Sequence, residues 1–412
     1  MTCSLTKYNF LDKNTHFPSW IVFCYLVAFG LEFLSLFINI RSGVAFGIYN
    51  LVVLLYIFAA KRIKLTAIDF IVLLFAFYNL FSIFGTLSYG ESFNTFLGEF
   101  CTGILPITFY FVARCLSNSR AENKFLLCLF FGIIFVDIIG IYFYYFNPSI
   151  YIGYLQKTVA FFDLRYSLQT PMLESFIGGS VVGVLSNICV ALCMHFLIIK
   201  KNKRKFAILL CVPLFVFTVV LTLERVSWVC TALTIVAYII IASKHKVRSC
   251  IFMAAATILL LVIISNSSVS DLIVERIKGS DTIFTERSAN WLKVFEQDAI
   301  KLFFGNGLGT CGHRSKIGLR IVDGNYFKMI YEVGIFGTFI MASIILSSAV
   351  TGILCLKNSK DSYLIFYLAV VFIIIIQGIG ASAFTFQDEM PIFWFAIGMI
   401  FNQKKARRIK QA

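Results

Sequence analysis

A succession of long apolar runs dominates this chain of 412 residues and limits the folds open to it. Hydrophobic residues make up 59% of the sequence and charged residues only 14%, against the roughly 25% charge of soluble domains. A helix needs about 20 apolar residues to cross the hydrocarbon core of a bilayer, and each run has about that length. The strands of a membrane barrel are shorter and alternate in polarity, unlike these runs. The sequence therefore predicts an all-α integral membrane protein.

Twelve such runs are predicted to be transmembrane helices of a single polytopic domain covering residues 1–412. They lie at 18–38, 43–60, 67–85, 98–116, 124–146, 178–199, 206–223, 226–243, 249–266, 327–356, 362–380 and 389–402. No internal repeat or low-complexity tract interrupts them, so no soluble module is expected. The polar N-terminus lacks a cleavable signal pattern, and the first run is expected to act as its own insertion signal.

The distribution of Lys and Arg predicts the orientation of these helices. Of the 36 basic residues, 23 fall near the termini or on alternate connections such as 61–64, 200–205 and 404–410. Because short loops rich in Lys and Arg remain cytoplasmic, both termini are expected in the cytoplasm and the long loop 267–326 outside it. The net charge of +15 is then mainly a topology signal, and nucleic-acid binding is not expected.

The cysteines do not indicate a metal site. Most of the 12 lie inside apolar runs, and none forms a CxxC or a Cys/His pair with zinc spacing. They are interpreted as small core residues. No metal and no other cofactor is expected.

Four acidic residues lie within or near the apolar runs, where a charge is costly and often functional. Glu32 and Asp69 lie close to the ends of runs, so their carboxylates could reach the membrane interface. Asp137 and Glu332 lie deeper, and each therefore requires an internal partner. The sequence leaves open whether that partner is structural or catalytic.

The long loop contains a stretch with helical spacing at 286–303. One face of it carries Trp291, Phe295, Ala299 and Leu302, and the opposite face carries Lys293, Glu296 and Lys301. This pattern predicts an amphipathic helix that lies on the membrane or on the bundle. Arg287 enters its first turn, where a positive charge opposes the helix dipole unless an anion lies there. Glu286 is one candidate for that anion, and a bound ligand is another.

Arg225 is predicted in a very short outer turn, next to Glu224. One interpretation is a turn whose charges reach water. The other is a fixed guanidinium at the mouth of the bundle, which can bind phosphate oxygens through two parallel hydrogen bonds.

A glycine cluster, Gly305-Asn306-Gly307-Leu308-Gly309, follows the predicted loop helix. It does not open a helix after a strand, so a nucleotide-binding loop is disfavoured. A helix C-cap followed by a flexible turn is the simpler interpretation. The basic residues that follow it are Arg314, Lys316 and Arg320.

Two residues in the end of this loop are candidates for a general base. Asp323 lies just before the next span and could accept a hydroxyl proton, although it could equally neutralise Arg320. His313 is the rival, and the cations beside it favour its neutral form.

The order of these motifs resembles that of the O-antigen ligase/polymerase superfamily of bacterial polysaccharide assembly. Proteins of that superfamily carry an arginine-plus-aromatic turn, an R…W helix with a GxGxG turn, and an Asn-Tyr element before an E-x-G-x-x-G span. The matching residues here are Arg225 with Trp228, Arg287 with Trp291, Gly305/Gly307/Gly309, Asn325 with Tyr326, and Glu332/Gly334/Gly337. The motifs cover residues 222–400, and the remainder is similar only in topology.

The resemblance implies metal-independent glycosyl transfer outside the bacterial cytoplasmic membrane, from a glycan carried on undecaprenyl diphosphate. It implies that Arg225 and Arg287 hold the departing diphosphate. Asp323 is the candidate base, and the resemblance itself leaves the base open because the family's histidine is replaced here. Arg320, Arg314, Trp291, Asn325, Tyr326, His313 and Glu332 are then the expected substrate-binding residues. Expected partners are lipid-linked repeats, membrane lipids, a chain-length regulator and a flippase.

Within the superfamily the sequence favours a Wzy-type polymerase of O-antigen or capsule repeats. Ligases carry a histidine before the asparagine, whereas this chain has Asp323-Gly324-Asn325. A ligase remains the first alternative, and a transporter or flippase of lipid-linked sugars is the second. Transporters usually have two related halves, but only the second half of this chain has a large loop.

Overall fold

The computed structural model describes residues 26, 30–34, 42–59, 65–116, 119–146, 173, 175, 177–199, 202–242, 288–289, 291–312, 314–315, 317, 324–358, 362–381 and 383–411. Within these residues the chain is helical and has no strand, which confirms the predicted all-α class for this part. The α-helices are α1 (Ser42–Ala59), α2 (Ala67–Phe81), α3 (Ile83–Ser88), α4 (Phe93–Glu99), α5 (Thr108–Cys115), α6 (Ser119–Tyr145), α7 (Gly179–Ile199), α8 (Asn202–Leu221), α9 (Arg225–Ala242), α10 (Ala299–Phe304), α11 (Asn325–Asn358), α12 (Ser362–Gly380) and α13 (Met390–Gln411). Short turns of other helix types occur at Phe100–Ile104, Leu105–Ile107, Lys293–Glu296 and Ala383–Thr385.

Seven helical stretches in the described residues are long and apolar enough to cross a membrane. They are Ser42–Ala59, Ala67–Ser88, Phe93–Cys115, Glu122–Tyr145, Gly179–Leu197, Asn325–Lys357 and Ser362–Gly380. Shorter apolar helices occupy Cys211–Leu221, Arg225–Ile241 and Met390–Asn402, where three further spans are predicted. The run predicted at 249–266, and most of that at 18–38, lie outside the described residues.

Helix α7 lies in the middle of the bundle, and other helices form its rim. Inside the protein, 83% of the Gly179–Leu197 stretch is buried, against 22% of Ala67–Ser88. Helices α1, α2 and α3 expose large apolar side chains, including Leu55, Phe77 and Phe84. Apolar side chains are stable at such positions when lipid tails surround them. The pattern of exposure therefore agrees with a membrane protein.

The two ends of the bundle are distinguished by the helix termini that meet there. At one end α13 packs on α5, where the Asn402 side chain donates to the carbonyls of Ala113 and Leu116 at 3.2 and 2.6 Å. At the other end α11 begins beside the segment that follows α12, and Phe384 N donates to Asn325 Oδ1 at 3.2 Å. We call the second the site end, because most of the described candidate residues lie there.

Asp69 and Asp137 both have internal partners. Asp69 is fully buried and forms an ion pair with Arg114 (Nε to Oδ1, 3.0 Å), and Tyr110 donates to the same oxygen at 2.5 Å. Asp69, in the first turn of α2, therefore binds a protein cation, and its position at the membrane interface stays a prediction. Asp137 is also fully buried and accepts from the Ser186 hydroxyl at 3.1 Å, which confirms the predicted need for a partner.

Removing one member of the Asp69–Arg114 pair tests its contribution to stability. We expect Arg114→Met to lower the free energy of unfolding by about 3–5 kcal/mol, because it leaves a buried carboxylate without its cation. Lys301→Met is the matched control, since Lys301 pairs with Asp298 at 3.8 Å on the surface and such pairs contribute about 1 kcal/mol or less. Denaturant unfolding in detergent measures both. Equal losses in the two variants would contradict this assignment.

Candidate functional site

The glycine turn after α10 is fixed to α11 by Glu332. The Glu332 carboxylate accepts from the backbone N–H groups of Gly309 and Cys311 at 3.0 and 3.1 Å. Its main-chain carbonyl accepts from Gly307 N at 2.8 Å. Glu332 is 3% exposed, so these hydrogen bonds form away from water, where such bonds are strongest. The predicted substrate-binding residue Glu332 is thus committed to the loop backbone.

Gly305 and Gly334 allow two backbones to touch. Gly305 caps the C-terminus of α10 with φ +86°, which confirms the predicted cap. Gly334 interrupts the helical geometry of α11 with φ +70°. A Cβ on Gly305 would overlap the Glu332 carbonyl, and a Cβ on Gly334 would overlap that of Phe303. The turn is therefore a packed joint between the loop and the bundle.

A buried ion network lies beneath this joint. Lys328 Nζ lies 3.2 Å from Glu99 Oε2 and 3.9 Å from Glu332 Oε1, and all three side chains are at most 5% exposed. Lys328 and Glu99 were not predicted as site residues. The position of Lys328 four residues before Glu332 could have indicated the first contact, because residues at this spacing share a helix face.

The cavity beside this network is too small for a sugar. It is lined by Asn325, Lys328, Glu99 and Glu332 among others, and its volume is about 30 Å³. A single water needs roughly 10–15 Å³ measured in this way. The network therefore has room for water but not for a sugar, and it holds the fold.

Arg314 reaches from the loop into a notch in the bundle. Its Nε lies 3.9 Å from Glu99 Oε1, and its side chain is 39% exposed. A Cβ on Gly98 would lie 2.7 Å from Arg314 Nη1, so glycine leaves room for the guanidinium. Arg314 thus has one carboxylate partner and a face that remains open to a ligand.

Trp291 packs against the start of α11. Its ring stacks on Phe327 with centroids 4.8 Å apart, and a Cβ on Gly324 would lie 2.6 Å from Trp291 Nε1. This contact explains glycine at 324, where φ is +96°. Trp291 therefore helps to hold the loop segment on the bundle.

The single amphipathic helix predicted at 286–303 is wrong for the described part of that stretch. Helical geometry breaks at Gln297 and Asp298, between the short turn Lys293–Glu296 and α10. Val294 is fully buried instead of Phe295, which is 49% exposed. Large apolar side chains remain exposed at Leu292, Phe295, Ile300, Phe303 and Phe304. The break turns a different set of residues inward because it shifts the helical period.

Asn325 and Tyr326 connect α11 to the segment around the end of α12. Tyr326 donates its hydroxyl proton to the Ile375 carbonyl at 2.6 Å. Asn325 accepts from Phe384 N, while its buried Nδ2 has no hydrogen-bond acceptor among the described residues. Asn325 and Tyr326 therefore fix the start of α11 against α12 and the segment after it. The Nδ2 group of Asn325 remains a donor without an acceptor among the described residues.

Arg225 is the first residue of α9 and is half-buried. In the described parts of the chain its guanidinium makes no hydrogen bond and no ion pair. Its neighbour Glu224 is engaged, because Gln377 Nε2 donates to Glu224 Oε2 at 3.0 Å and Ser227 donates to Gln377 Oε1 at 3.2 Å. Trp228 donates from Nε1 to the Val219 carbonyl at 3.1 Å, which fixes the start of α9. The backbone that carries Arg225 is thus fixed, and among the described residues its guanidinium is available to an anion.

Two adjacent carboxylic acids follow α12 at the site end. Asp388 is 2% exposed and shares a hydrogen bond with Glu32, and burial raises the pKa of Asp388 to about 6. Glu389 is 1% exposed, and burial, followed by the charges of Asp388 and Glu224, raises its pKa well above the ordinary value. The sequence analysis missed both residues, because the segment 381–389 joins two apolar runs without a recognisable motif.

Four predicted site residues lie outside the described residues: Arg287, His313, Arg320 and Asp323. Among the residues that are described, no group of three or more His, Cys, Asp or Glu side chains has the arrangement needed to hold a metal ion.

Comparison of the chain with known proteins identifies no family. No protein-family model matches it, and no curated protein matches it.

Replacing Gly305 by alanine tests the joint between loop and bundle. We expect Gly305→Ala to separate the loop from α11, since the added Cβ overlaps a carbonyl that cannot move without breaking the helix. Gly178→Ala is the matched control: Gly178 also has positive φ (+95°), but a Cβ there meets nothing within 4 Å. The control should cost only the conformational term of about 1–2 kcal/mol.

Limited proteolysis of the loop and thermal unfolding in detergent measure the difference. We expect Gly305→Ala to be cleaved faster than Gly178→Ala and to unfold at a lower temperature. If the two variants behaved alike, the joint would contribute nothing beyond backbone strain.

Proposed function

We propose that this protein is a polymerase of lipid-linked polysaccharide repeats, O-antigen or capsule, in the bacterial cytoplasmic membrane. It transfers the growing glycan from undecaprenyl diphosphate to the next lipid-linked repeat. The proposal includes twelve spans, cytoplasmic termini and an active site on the outer face. The observation that carries it is the convergence of distant motif residues at one end of the bundle.

The convergence is visible in side-chain contacts between separate motifs. The E-x-G-x-x-G motif holds the glycine turn through Glu332 and Gly334. The Asn-Tyr motif contacts the residues around the end of α12, and Gln377 of α12 contacts Glu224 beside Arg225. Motifs that resemble those of the ligase/polymerase superfamily thus belong to one structural unit, which supports a shared site.

The chemistry of the reaction matches the free cationic groups. A glycan leaves undecaprenyl diphosphate when its C1–O bond to phosphate breaks, and the diphosphate then carries the developing charge. A fixed guanidinium stabilises such charge without rearranging at the moment of reaction. Arg225 has no partner in the described residues, and Arg314 keeps an exposed face. Arg287 and Arg320 are proposed to join Arg225 and Arg314, and these four residues are called the cationic wall.

The exposed apolar residues of 292–304 suit a lipid-linked substrate. Leu292, Ile300 and Phe304 are all more than half exposed, and Lys293 and Lys301 lie among them. Apolar side chains with interspersed lysines are typical of segments that lie in the membrane interface. A polyprenyl diphosphate has its charged group at that same depth, so the loop could receive it there.

Replacing Arg225 tests the proposal in a purified system. We expect the wild-type protein to elongate defined lipid-linked repeats in detergent or liposomes without any ion gradient. Arg225→Ala should slow elongation by about 10²–10³-fold, the usual loss when one donor to a developing anion is removed. Arg225→Lys should recover part of the rate, because it keeps the charge but loses the two-pronged geometry. Gel profiles of the product measure each rate.

The same assay measures the control variant and distinguishes a polymerase from a ligase or a transporter. Lys357→Ala changes an exposed cation at the end of α11 that lies away from the site end, and its rate should match the wild type. Elongation unchanged in Arg225→Ala would refute the role of that residue. Transfer to a lipid A-core acceptor alone would identify a ligase, and gradient-driven movement without elongation would identify a transporter.

In cells, the glycan profile separates a polymerase from a ligase. We expect deletion of the gene to leave single repeats attached to the core, because export and attachment continue without polymerisation. Loss of a ligase leaves polymer that is not attached. Electrophoresis of the surface glycan distinguishes the two results, and unattached polymer would contradict the proposal.

A further inference from the structure

One buried carboxylic acid at the site end stands apart from the others. In the described part of the chain, Asp69, Glu91, Glu99, Glu122, Asp137, Glu332, Asp388 and Glu389 are all less than 9% exposed. All but Glu389 have a hydrogen-bond partner for at least one carboxylate oxygen. Neither oxygen of Glu389 has one among the described residues. A buried polar group without a partner costs about 1–3 kcal/mol, and so requires an explanation.

The surroundings of Glu389 offer no compensation for its ionised form among the described residues. The carboxylates of Asp388 and Glu224 repel that form. No described cation forms an ion pair with it. An uncompensated buried carboxylic acid of this kind is typical of groups kept for function.

The backbone around Glu389 is nonetheless well anchored. Its carbonyl accepts from Phe393 N in the first turn of α13 at 3.1 Å, and its N–H donates to Phe386 O at 3.3 Å. Phe384, five residues earlier, is tied to Asn325 and packs its carbonyl over Gly103, where a Cβ would lie 3.0 Å away. A fixed backbone with an unsatisfied side chain is an arrangement suited to a substrate that completes the hydrogen bonds.

The position of Glu389 also connects it to the cationic wall. Glu224, one of the two carboxylates that face it, immediately precedes Arg225, and both Glu224 and Arg225 are only half-buried. Glu389 therefore interacts electrostatically with the immediate neighbour of a residue proposed to bind the diphosphate.

We propose that Glu389 is the general base that activates the acceptor hydroxyl, an inference that rests on the proposed glycosyl transfer. As the acceptor oxygen forms its bond to C1 of the donor sugar, its proton passes to Glu389 Oε. The C1–O bond to phosphate breaks, and its electron pair leaves with the diphosphate. The proton is later released to water, which restores the carboxylate.

Burial suits Glu389 to this task. A base is most effective when its pKa lies near the working pH, and a carboxylate in water is too weak for that. The same pattern of burial and like charge raises the pKa of catalytic carboxylic acids in general. Asp323, the base suggested by the sequence, lies outside the described residues and is the rival candidate.

Removal and chemical rescue of the carboxylate test this role. We expect Glu389→Ala to lower the single-turnover rate of glycosyl transfer by about 10²–10⁴-fold, the usual contribution of a general base. Binding of the lipid-linked repeat, measured separately, should stay within twofold of the wild type. Added formate should raise the rate of Glu389→Ala with increasing concentration and leave the wild type unchanged, because a small carboxylate can occupy the space and accept the proton.

Isosteric and matched variants distinguish the loss of a base from a folding defect. Glu389→Gln preserves shape without a base and should be as slow as Glu389→Ala, whereas Glu389→Asp should retain partial activity. Glu122→Gln is the control: Glu122 is buried near the opposite end of α12, where it accepts from Tyr367 at 2.6 Å, and its rate should not change. Asp323→Ala is assayed in parallel with formate.

The outcomes separate this inference from the proposed function. An active wild type with a normal rate in Glu389→Gln overturns the role of Glu389 alone. So does rescue by formate in Asp323→Ala and not in Glu389→Ala, or weaker substrate binding as the only defect. A folded wild-type protein that does not elongate lipid-linked repeats overturns both.

Discussion

The architecture of the site end depends on one buried carboxylate, Glu332. Its side chain accepts hydrogen bonds from two loop amides, and its carbonyl accepts a third. Hydrogen bonds to a charged group contribute roughly 1.5–3 kcal/mol each, so these contacts anchor the loop strongly. Lys328 supplies the compensating charge beneath it, 3.9 Å from Glu332 Oε1, and it also pairs with Glu99 at 3.2 Å. The loop thereby becomes part of the bundle instead of a separate surface segment.

Glycine makes this anchoring possible. Gly305 and Gly334 come from different elements, and each leaves space for the backbone of the other segment. Gly334 also bends α11 where Glu332 turns towards the loop. Motifs that look like ligand-binding glycines in the sequence are therefore used for contact between backbones. Arg314, proposed to bind substrate, reaches the network beneath this joint through Glu99.

The buried carboxylic acids differ in whether a group of opposite charge lies beside them. Asp69 with Arg114, and Glu99 with Lys328, are paired and hydrogen-bonded, as stability requires of charges removed from water. Glu389 has no such partner in the described residues, and its neighbours are acidic. Glu389 is therefore the uncompensated member of the buried carboxylic acids in the described residues. That contrast distinguishes it from the paired groups that stabilise the fold.

The sequence alone determined the helical class and the positions of the apolar helices, because hydrophobic length and continuity are local properties. It also located the glycine turn and the cap at Gly305, since a positive φ favours glycine. It failed for the stretch 286–303, where a break at Gln297 and Asp298 changed which side chains are buried. Only tertiary structure paired Glu99 with Lys328 across 229 residues and placed Glu224 near Glu389. Such pairings depend on how helices pack, and no local pattern in the chain records them.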